Sequence, residues 1–247
     1  MERASISVIT TTKGGPIDML AASLYPYYDQ IHEFIVVNAN SHKRAFSKLY
    51  KYPKVKMLPG KGTNRSEGKN IGIKAATGNV LAFLDDDVRV TEEWVNALKK
   101  AMLHANIVAG WSPPLMGKEK PRVSIYIDGQ DITYPTCNIA YRKEVFDKVG
   151  LFDAALRGAE DIDFNKRCVD DGYTIIYDPR VKVYHRHRKG WGLAEQAYRY
   201  GYSRRLFNKK YPELKHAHYH GLSLTNCVSL GFGALGYCFG GIFFTHR

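Results

Sequence analysis

LAFLDDDVRV, residues 81–90, decides how this chain is read. With Val80 in front, the apolar run to Leu84 has the length and composition of a strand buried on both faces, and it ends in three consecutive carboxylates, Asp85, Asp86 and Asp87. Extended backbone alternates its side chains, so Asp85 and Asp87 share one face and Asp86 takes the other. Adjacent carboxylates in a partly buried place raise one another's pKa unless a divalent ion balances them, and no basic residue stands in this stretch before Arg89. Two hard oxygen donors suit Mg²⁺ or Mn²⁺. The competing reading is a solvated acidic turn, with Thr91 capping the next helix and Glu92 and Glu93 favouring its first turn. Position supports the ligand reading, because open α/β sheets bind ligands beyond the carboxyl ends of their strands.

Working outward, Ile6 to Ile9 predicts a short buried strand, followed by TTTKGG and a helix over 17–25. Phe34 to Val37 predicts a second strand, running into the polar Asn38-Ala39-Asn40-Ser41, and Val55 to Leu58 a third. In GKGTNRSEGKNIGIKAATGN, Ile71, Ile73, Ala75 and Ala76 give a helix its apolar face. Strand and helix alternate with short connections to about residue 90, the pattern of a parallel, helix-covered sheet. Beyond a helix over 92–104 the pattern changes. Ile107 to Ala109, Val123 to Ile127 and Asn138 to Tyr141 read as strands of a mixed or antiparallel half, then RKEVFDKVGLFD as a helix ended by Gly150. GAEDIDFNKRCVDDGY is a further helix, opening with Glu160 and Asp161 and closing at Gly172; capping by acidic residues accounts for that pair as well as chemistry does.

The chain of 247 residues is 45% hydrophobic and 24% charged, which suits one sizeable domain with or without an appendage and excludes a disordered polyelectrolyte. A formal charge of +12 implies an anionic partner, whether nucleic acid, lipid headgroups or a nucleotide diphosphate. Four dispersed cysteines without a CxxC pair argue against a zinc site and for a reducing compartment, and MERASISVIT lacks the apolar core of a signal peptide.

The order of an N-terminal apolar strand, the VVNANS loop, GKNIGIKAATGNVLAFLDDD, NIAYRKEVFDKVGLFD and GAEDIDFNKR resembles the family-2 glycosyltransferases of the GT-A fold over roughly residues 4 to 190. The resemblance implies a nucleotide-diphospho-sugar transferase fold, with a mixed, mostly parallel central sheet flanked by helices, and an inverting enzyme that uses a divalent metal. It puts the DxD motif on Asp85 and Asp87, with His185 of YDPRVKVYHRHRKGW as a third metal ligand, and the general base on Asp161 beside Glu160. An aspartate at a helix N-terminus is expected to stay ionised and able to take a proton. Donor contacts are implied at Thr10, Thr11, Asn38 and Asn40, and at Asp85 and Asp86. Lys69 and Asn70 would add to them, and Arg188 and Trp191 would close over the diphosphate. The chain departs from the family pattern at four places: Asn38 stands where an aspartate is usual, Gly68-Lys69-Asn70 replaces Ala-Arg-Asn, Thr10-Thr11-Thr12 replaces a proline-bearing opening, and Thr136-Cys137-Asn138 lacks the small glycines before the asparagine.

LAEQAYRYGYSRRLFNKK, from Leu193 to about Lys210, predicts a basic aromatic-bearing amphipathic helix suited to a membrane surface or to packing. Residues 221–244 contain no charged residue and are long enough to span a bilayer at about 1.5 Å per residue. The expected division is a catalytic domain over 1–215 and an apolar, membrane-associated helical segment over 216–247, placing the enzyme at the cytoplasmic membrane face. The expected partners are a UDP- or GDP-linked sugar and a hydroxyl or phosphate acceptor on a glycan, lipid-linked glycan or polysaccharide precursor, not nucleic acid. A sugar-phosphate nucleotidyltransferase would share the sheet and the carboxylates but calls for a longer glycine-rich loop than TTKGGP. A basic nucleic-acid-binding module would account for the charge while leaving Asp85 to Asp87, Glu160 and Asp161 as repulsive groups in its groove.

Overall fold

The computed structural model describes residues 3–14, 17–39, 54–60, 62–119, 124–156, 158–186 and 191–214, together with positions 49, 52, 234, 235 and 238. An eight-stranded sheet forms its centre. In chain order the strands are β1 (Ile6–Thr12), β2 (Glu33–Asn38), β3 (Val55–Pro59), β4 (Val80–Leu84), β5 (Val88–Val90), β6 (Ile107–Trp111), β9 (Asn138–Arg142) and β10 (Ile175–His185), while β7 (Tyr126–Ile127) and β8 (Gln130–Asp131) make a separate ribbon. The helices are α1 (Ile17–Leu24), α2 (Arg65–Ala75), α3 (Trp94–Ala101), α4 (Lys143–Val149), α5 (Glu160–Asp170) and α6 (Trp191–Lys210).

Across the sheet the order is β3-β2-β1-β4-β9-β6-β10-β5. β1 pairs in parallel with β2 and β4, β2 with β3, and β6 with β10. β9 runs antiparallel between β4 and β6, and β5 antiparallel on the edge against β10. The change from parallel to mixed pairing falls where the regular alternation of strand and helix ends in the sequence.

β4 illustrates why the sheet is covered on both sides. All five of its side chains are buried, Val80, Ala82 and Leu84 joining the layer with α1 and α3, and Leu81 and Phe83 the opposite layer with α2, α4 and α5. Period-two alternation divides one apolar run between two cores. In the second core Phe83, Tyr141, Phe146, Phe152 and Phe164 pack edge-on and tilted around the stacked pair Phe146–Phe164, whose centroids are 4.7 Å apart. This cluster seats α5 and therefore the acidic pair that opens it.

Gly110 of β6 shows how tightly the mixed half is joined. A Cβ there would fall 2.0 Å from the Val181 carbonyl and 2.2 Å from Asn138 Nδ2. Asn138 is buried and fully engaged, its amide donating to the Trp111 and Val181 carbonyls and accepting from Trp94 Nε1. The turn after β5 differs from the expected cap. Thr91 donates its hydroxyl to the Lys182 carbonyl of β10, and α3 starts after Glu93 with no side-chain cap.

Candidate active site

The carboxyl ends of the parallel strands meet at one edge of the sheet. Thr12 is in register with Asn38, and Asn38 with Pro59, while the pairing of Ile9 with Phe83 brings the end of β1 beside the aspartates that follow β4. β5 then turns back along β10, pairing Val88 with His185. That antiparallel contact brings His185 to Asp87 across 98 residues, with Nε2 to Oδ1 at 3.0 Å. The backbone holds the imidazole in place: His185 N–H donates to Pro113, its carbonyl accepts from Leu115, and Arg186 N–H donates to the Asp87 carbonyl.

Ligand atoms of Asp85, Asp87 and His185 all lie within 4.8 Å of one another, and each residue is half-buried. Two carboxylates and an imidazole fit Mn²⁺ or Mg²⁺ with positions left for substrate oxygens and water. Burial tends to lower the His185 pKa, but the hydrogen bond and charge of Asp87, with Asp85 behind it, outweigh it and raise the value. Asp86, in the turn that follows β4, points instead to Thr12 and accepts from its hydroxyl at 2.5 Å. Burial, with the charges of Asp87 and Asp85, lifts its pKa.

The expected donor contacts fall into distinct settings. Asn38 stands half-buried at the strand-end edge, its carbonyl accepting from Gly60 N–H. Thr10 is buried with its hydroxyl lacking a hydrogen-bond partner, whereas Thr11 packs under α2, where a Cβ on Gly68 would come 2.9 Å from its methyl. Lys69, expected to offer charge to a diphosphate, instead has its ammonium 2.6 Å from Glu160 and also donates to Thr136, with both members of the ion pair almost fully buried. Asn70 ties α2 to the chain before α5, donating to the Phe152 carbonyl and accepting from Phe152 N–H. Asn40 and Arg188 lie outside the described residues, as does the Trp191 side chain.

The start of α5 is shaped by backbone as well as charge. Ala159, its N-cap, adopts a left-handed conformation with φ of 60°, a costly one for a residue with a Cβ, and Glu160 then turns inward to Lys69. Burial acts to raise the Glu160 pKa, but Lys69 and Arg65 hold it below the usual value. Asp161, half-buried, accepts from Ile162 N–H at 2.9 Å. Burial and the neighbouring Glu160 charge push it up to about 6, against Lys69, Arg65 and that hydrogen bond. The helix-terminus argument for a fully ionised aspartate therefore underestimated desolvation.

Arg65, the first residue of α2, is a component the sequence reading missed. It is within electrostatic reach of Asp85, Glu160, Asp161 and Tyr200; desolvation opposes its charge, and these groups together hold its pKa above the usual value. Its signal was its spacing, one helical turn before Lys69 on the same face. A capping box fixes this end of the helix: Asn64 accepts from Glu67 N–H, Glu67 accepts from Asn64 N–H, and Asn64 Nδ2 donates to the Ala154 carbonyl. Buried Cys137 is likewise within reach of Asp85, Asp87 and Asp161, and burial raises its pKa. Arg65 and Cys137 thus couple electrostatically both to the metal-ligating group and to the start of α5.

No helix among the described residues is long and apolar enough to cross a membrane, and nearly all of 221–244 lies outside them.

Known proteins share this fold. The model of glycosyl transferase family 2 matches residues 7–150, more than half of the chain. The succinoglycan biosynthesis protein ExoM of Rhizobium meliloti is 27% identical over 197 residues, covering 71% of this chain and 61% of its own length. The pre-mycofactocin glycosyltransferase of Mycobacterium tuberculosis is 24% identical over 175 residues, 59% of this chain but 35% of that protein, so the chain spans only part of the relatives it matches. S. aureus TarS 1-349, solved with UDP-GlcNAc, superposes with a TM-score of 0.66 at 19% identity, over 95% of this chain and 73% of that one. The mannosyltransferase PcManGT of Pyrobaculum calidifontis, solved with GDP-Man and Mn²⁺, gives 0.61 at 16% identity over 96% and 70%. On the family match and this shared fold, the chain belongs to glycosyl transferase family 2.

Proposed function

We propose that this chain is an inverting glycosyltransferase that moves one sugar from a UDP- or GDP-linked donor to an acceptor hydroxyl in a single displacement. The observation that carries the reading is that the ligand atoms of Asp85, Asp87 and His185 lie within 4.8 Å of one another at the sheet edge where α2 begins, and that the Lys69–Glu160 pair holds the start of α5, with Asp161, against α2. The two halves of a displacement, leaving-group stabilisation and proton removal, would thus face one cleft.

A divalent ion held by Asp85, Asp87 and His185 would supply positive charge to the donor diphosphate when bound. Asp161 accepts the acceptor's hydroxyl proton, the acceptor oxygen bonds to the anomeric carbon, and the bond from that carbon to the diphosphate oxygen breaks with its electron pair on the diphosphate. Attack opposite the leaving group inverts the anomeric configuration. Arg65 adds charge near the leaving group, while the Lys69–Glu160 pair fixes α2 against α5. The donor class is supported by the complexes of TarS with UDP-GlcNAc and of PcManGT with GDP-Man and Mn²⁺. A polysaccharide or lipid-linked acceptor is supported by the likeness to the succinoglycan biosynthesis protein, and the basic balance suits work at a cytoplasmic membrane face.

Thermal unfolding of the full chain against UDP, GDP and their sugar conjugates, with and without Mn²⁺, tests the donor. Ligand at about a hundred times its dissociation constant stabilises by about 2.7 kcal/mol, so the matching nucleotide should raise Tm by several degrees only with the metal. Asp161→Asn should keep that shift and lose transfer. Equal loss of both would remove Asp161 from the role of base.

A further inference from the structure

The sheet edge formed by β6, β10 and β5 carries a row of rings and cations on one face. Trp111 at the end of β6 is in register with Lys182 of β10, and two residues on, Tyr184 of β10 is in register with Arg89 of β5. The period of two puts Lys182 and Tyr184 on one face, while Val181, Val183, Val88 and Val90 are buried on the other in the core with α1 and α3. Lys182 Nζ stands 4.5 Å from the Trp111 ring centroid and 4.6 Å from that of Tyr184, and the Arg89 guanidinium is 5.3 Å from the Tyr184 ring. Arg89 is exposed and the other three are half-buried. These spacings are those of cations held on ring faces, where an ammonium or guanidinium still has N–H groups to offer an anion.

Beside this row the chain leaving β6 makes a closed excursion. Trp111 Nε1 donates to Glu119 Oε1 at 3.0 Å, so the two ends of 111–119 meet. Its middle is tied to the residue that ends β10: Pro114 bridges to His185, and Leu115 N–H donates to the His185 carbonyl at 2.7 Å. The chain then turns at Gly117, with φ of 91°, between exposed Lys118 and Met116. Met116 is 76% exposed, more than any other large apolar side chain among the described residues. One exposed methionine needs no explanation by itself. Here it stands on a pinned loop next to two amphipathic rings and three cations, and that set matches a membrane interface: rings at headgroup level, cations on phosphates, an apolar tip below them.

We propose that this edge, with Arg89, Trp111, Met116, Lys118, Lys182 and Tyr184, is the surface by which the chain docks on an anionic phospholipid bilayer. The proposal deepens, and rests on, the reading of a lipid-linked acceptor above. Complementary charge names the occupant: three cations against the single carboxylate of Glu119 in contact with the row, on a chain of formal charge +12, suit a negative headgroup layer. A nucleic acid would meet the same cations but leave the Met116 tip in water. Docking here has a functional consequence. His185 follows Tyr184 directly in β10, so the metal-ligating group would be held at the bilayer surface, where a lipid-linked acceptor presents its sugar.

The test is sedimentation of the full chain with vesicles of phosphatidylglycerol and phosphatidylcholine in equal parts, with pure phosphatidylcholine vesicles as the reference. The unsubstituted chain should prefer the anionic vesicles. Arg89→Glu combined with Lys182→Glu should weaken that binding at least about thirtyfold. Met116→Asp, at a side chain exposed on a loop and so harmless to folding, should weaken it about tenfold. Lys56→Glu combined with Lys74→Glu makes the same change in net charge on β3 and α2, toward the opposite edge of the sheet, and should alter binding less than about threefold. No binding to the anionic vesicles, equal binding to both kinds, indifference to the Arg89 and Lys182 or Met116 variants, an equal loss in the Lys56 and Lys74 variant, or displacement of the vesicles by oligothymidylate would overturn the proposal. The thermal shift with nucleotide and Mn²⁺ is read on the same samples: its absence in the unsubstituted chain counts against the transferase reading itself, whereas its presence with vesicle binding that ignores these residues counts against this surface alone.

Discussion

Replacing Lys69 by Met isolates the interaction that joins the two helices of the site. Met keeps most of the aliphatic stem over the Phe152 ring, where the ammonium now sits 5.3 Å from the centroid, and removes the charge. Glu160 then remains buried, its side chain 3% exposed, without the cation 2.6 Å away. Removing one partner of a buried ion pair costs about 3–5 kcal/mol, because the other charge stays desolvated. Arg65 still faces Glu160 and offsets part of this, which puts the expectation near the lower end, about 3 kcal/mol. For a chain of this size that lowers Tm by roughly 6–12 °C. Urea denaturation of Lys69→Met, Glu160→Gln and the double variant measures it. The double variant should recover about 2 kcal/mol relative to the sum of the singles, since neither charge is then stranded. A loss below about 1 kcal/mol in Lys69→Met, or additive singles, would refute the argument that the pair works as a desolvated unit.

Other outcomes follow from the same geometry. The folded state raises Asp161 from 3.8 to about 6, so its protonation contributes stability that is fully present below 3.8 and lost as pH rises through about 6, while the base role proposed for it needs the ionised form. Turnover measured by nucleotide release should therefore climb through about pH 6, and Lys69→Met, which removes a charge that lowers this pKa, should move that limb to higher pH. His185→Ala should weaken Mn²⁺ binding in calorimetry by at least about tenfold, and in the unsubstituted chain affinity should fall on acidification because the raised His185 pKa makes a proton compete with the ion. Gly110→Ala should destabilise by more than about 2 kcal/mol in urea unfolding, because its Cβ meets backbone and a pinned amide rather than a flexible side chain.

Much of the sheet was legible because its information is local. The run from Val80 to Leu84 is apolar at every position, which only a strand covered on both faces tolerates, and the carboxylates after it divide as expected, Asp85 and Asp87 toward His185 and Asp86 toward Thr12, although residues 86–87 form a turn and not a continued strand. Gly150 and Gly172 end α4 and close off α5 with positive φ, as helix-terminal glycines should. What the chain concealed depends on partners far along it. Lys69 reads as a free cation until Glu160, 91 residues later, comes to lie against it, and Thr91 reads as a cap until Lys182 supplies a carbonyl. Arg65 has no motif of its own; only the placement of α2 beside the start of α5 brings it to the carboxylates. Desolvation is likewise a property of the packed site, so the elevated Asp161 pKa could not be inferred from its position at a helix terminus.

The contact between Asp87 and His185 has a mechanical consequence. A cation bound there would tie the middle of the chain to the end of β10, closing a loop of 98 residues with a single bridge. Ties across long loops remove the most freedom from the unfolded chain, so the ion would act as a removable staple between the parallel and mixed halves of the sheet. Amide exchange in β4 and in β10, remote in sequence, should then slow together when Mn²⁺ is added and relax together when it is chelated.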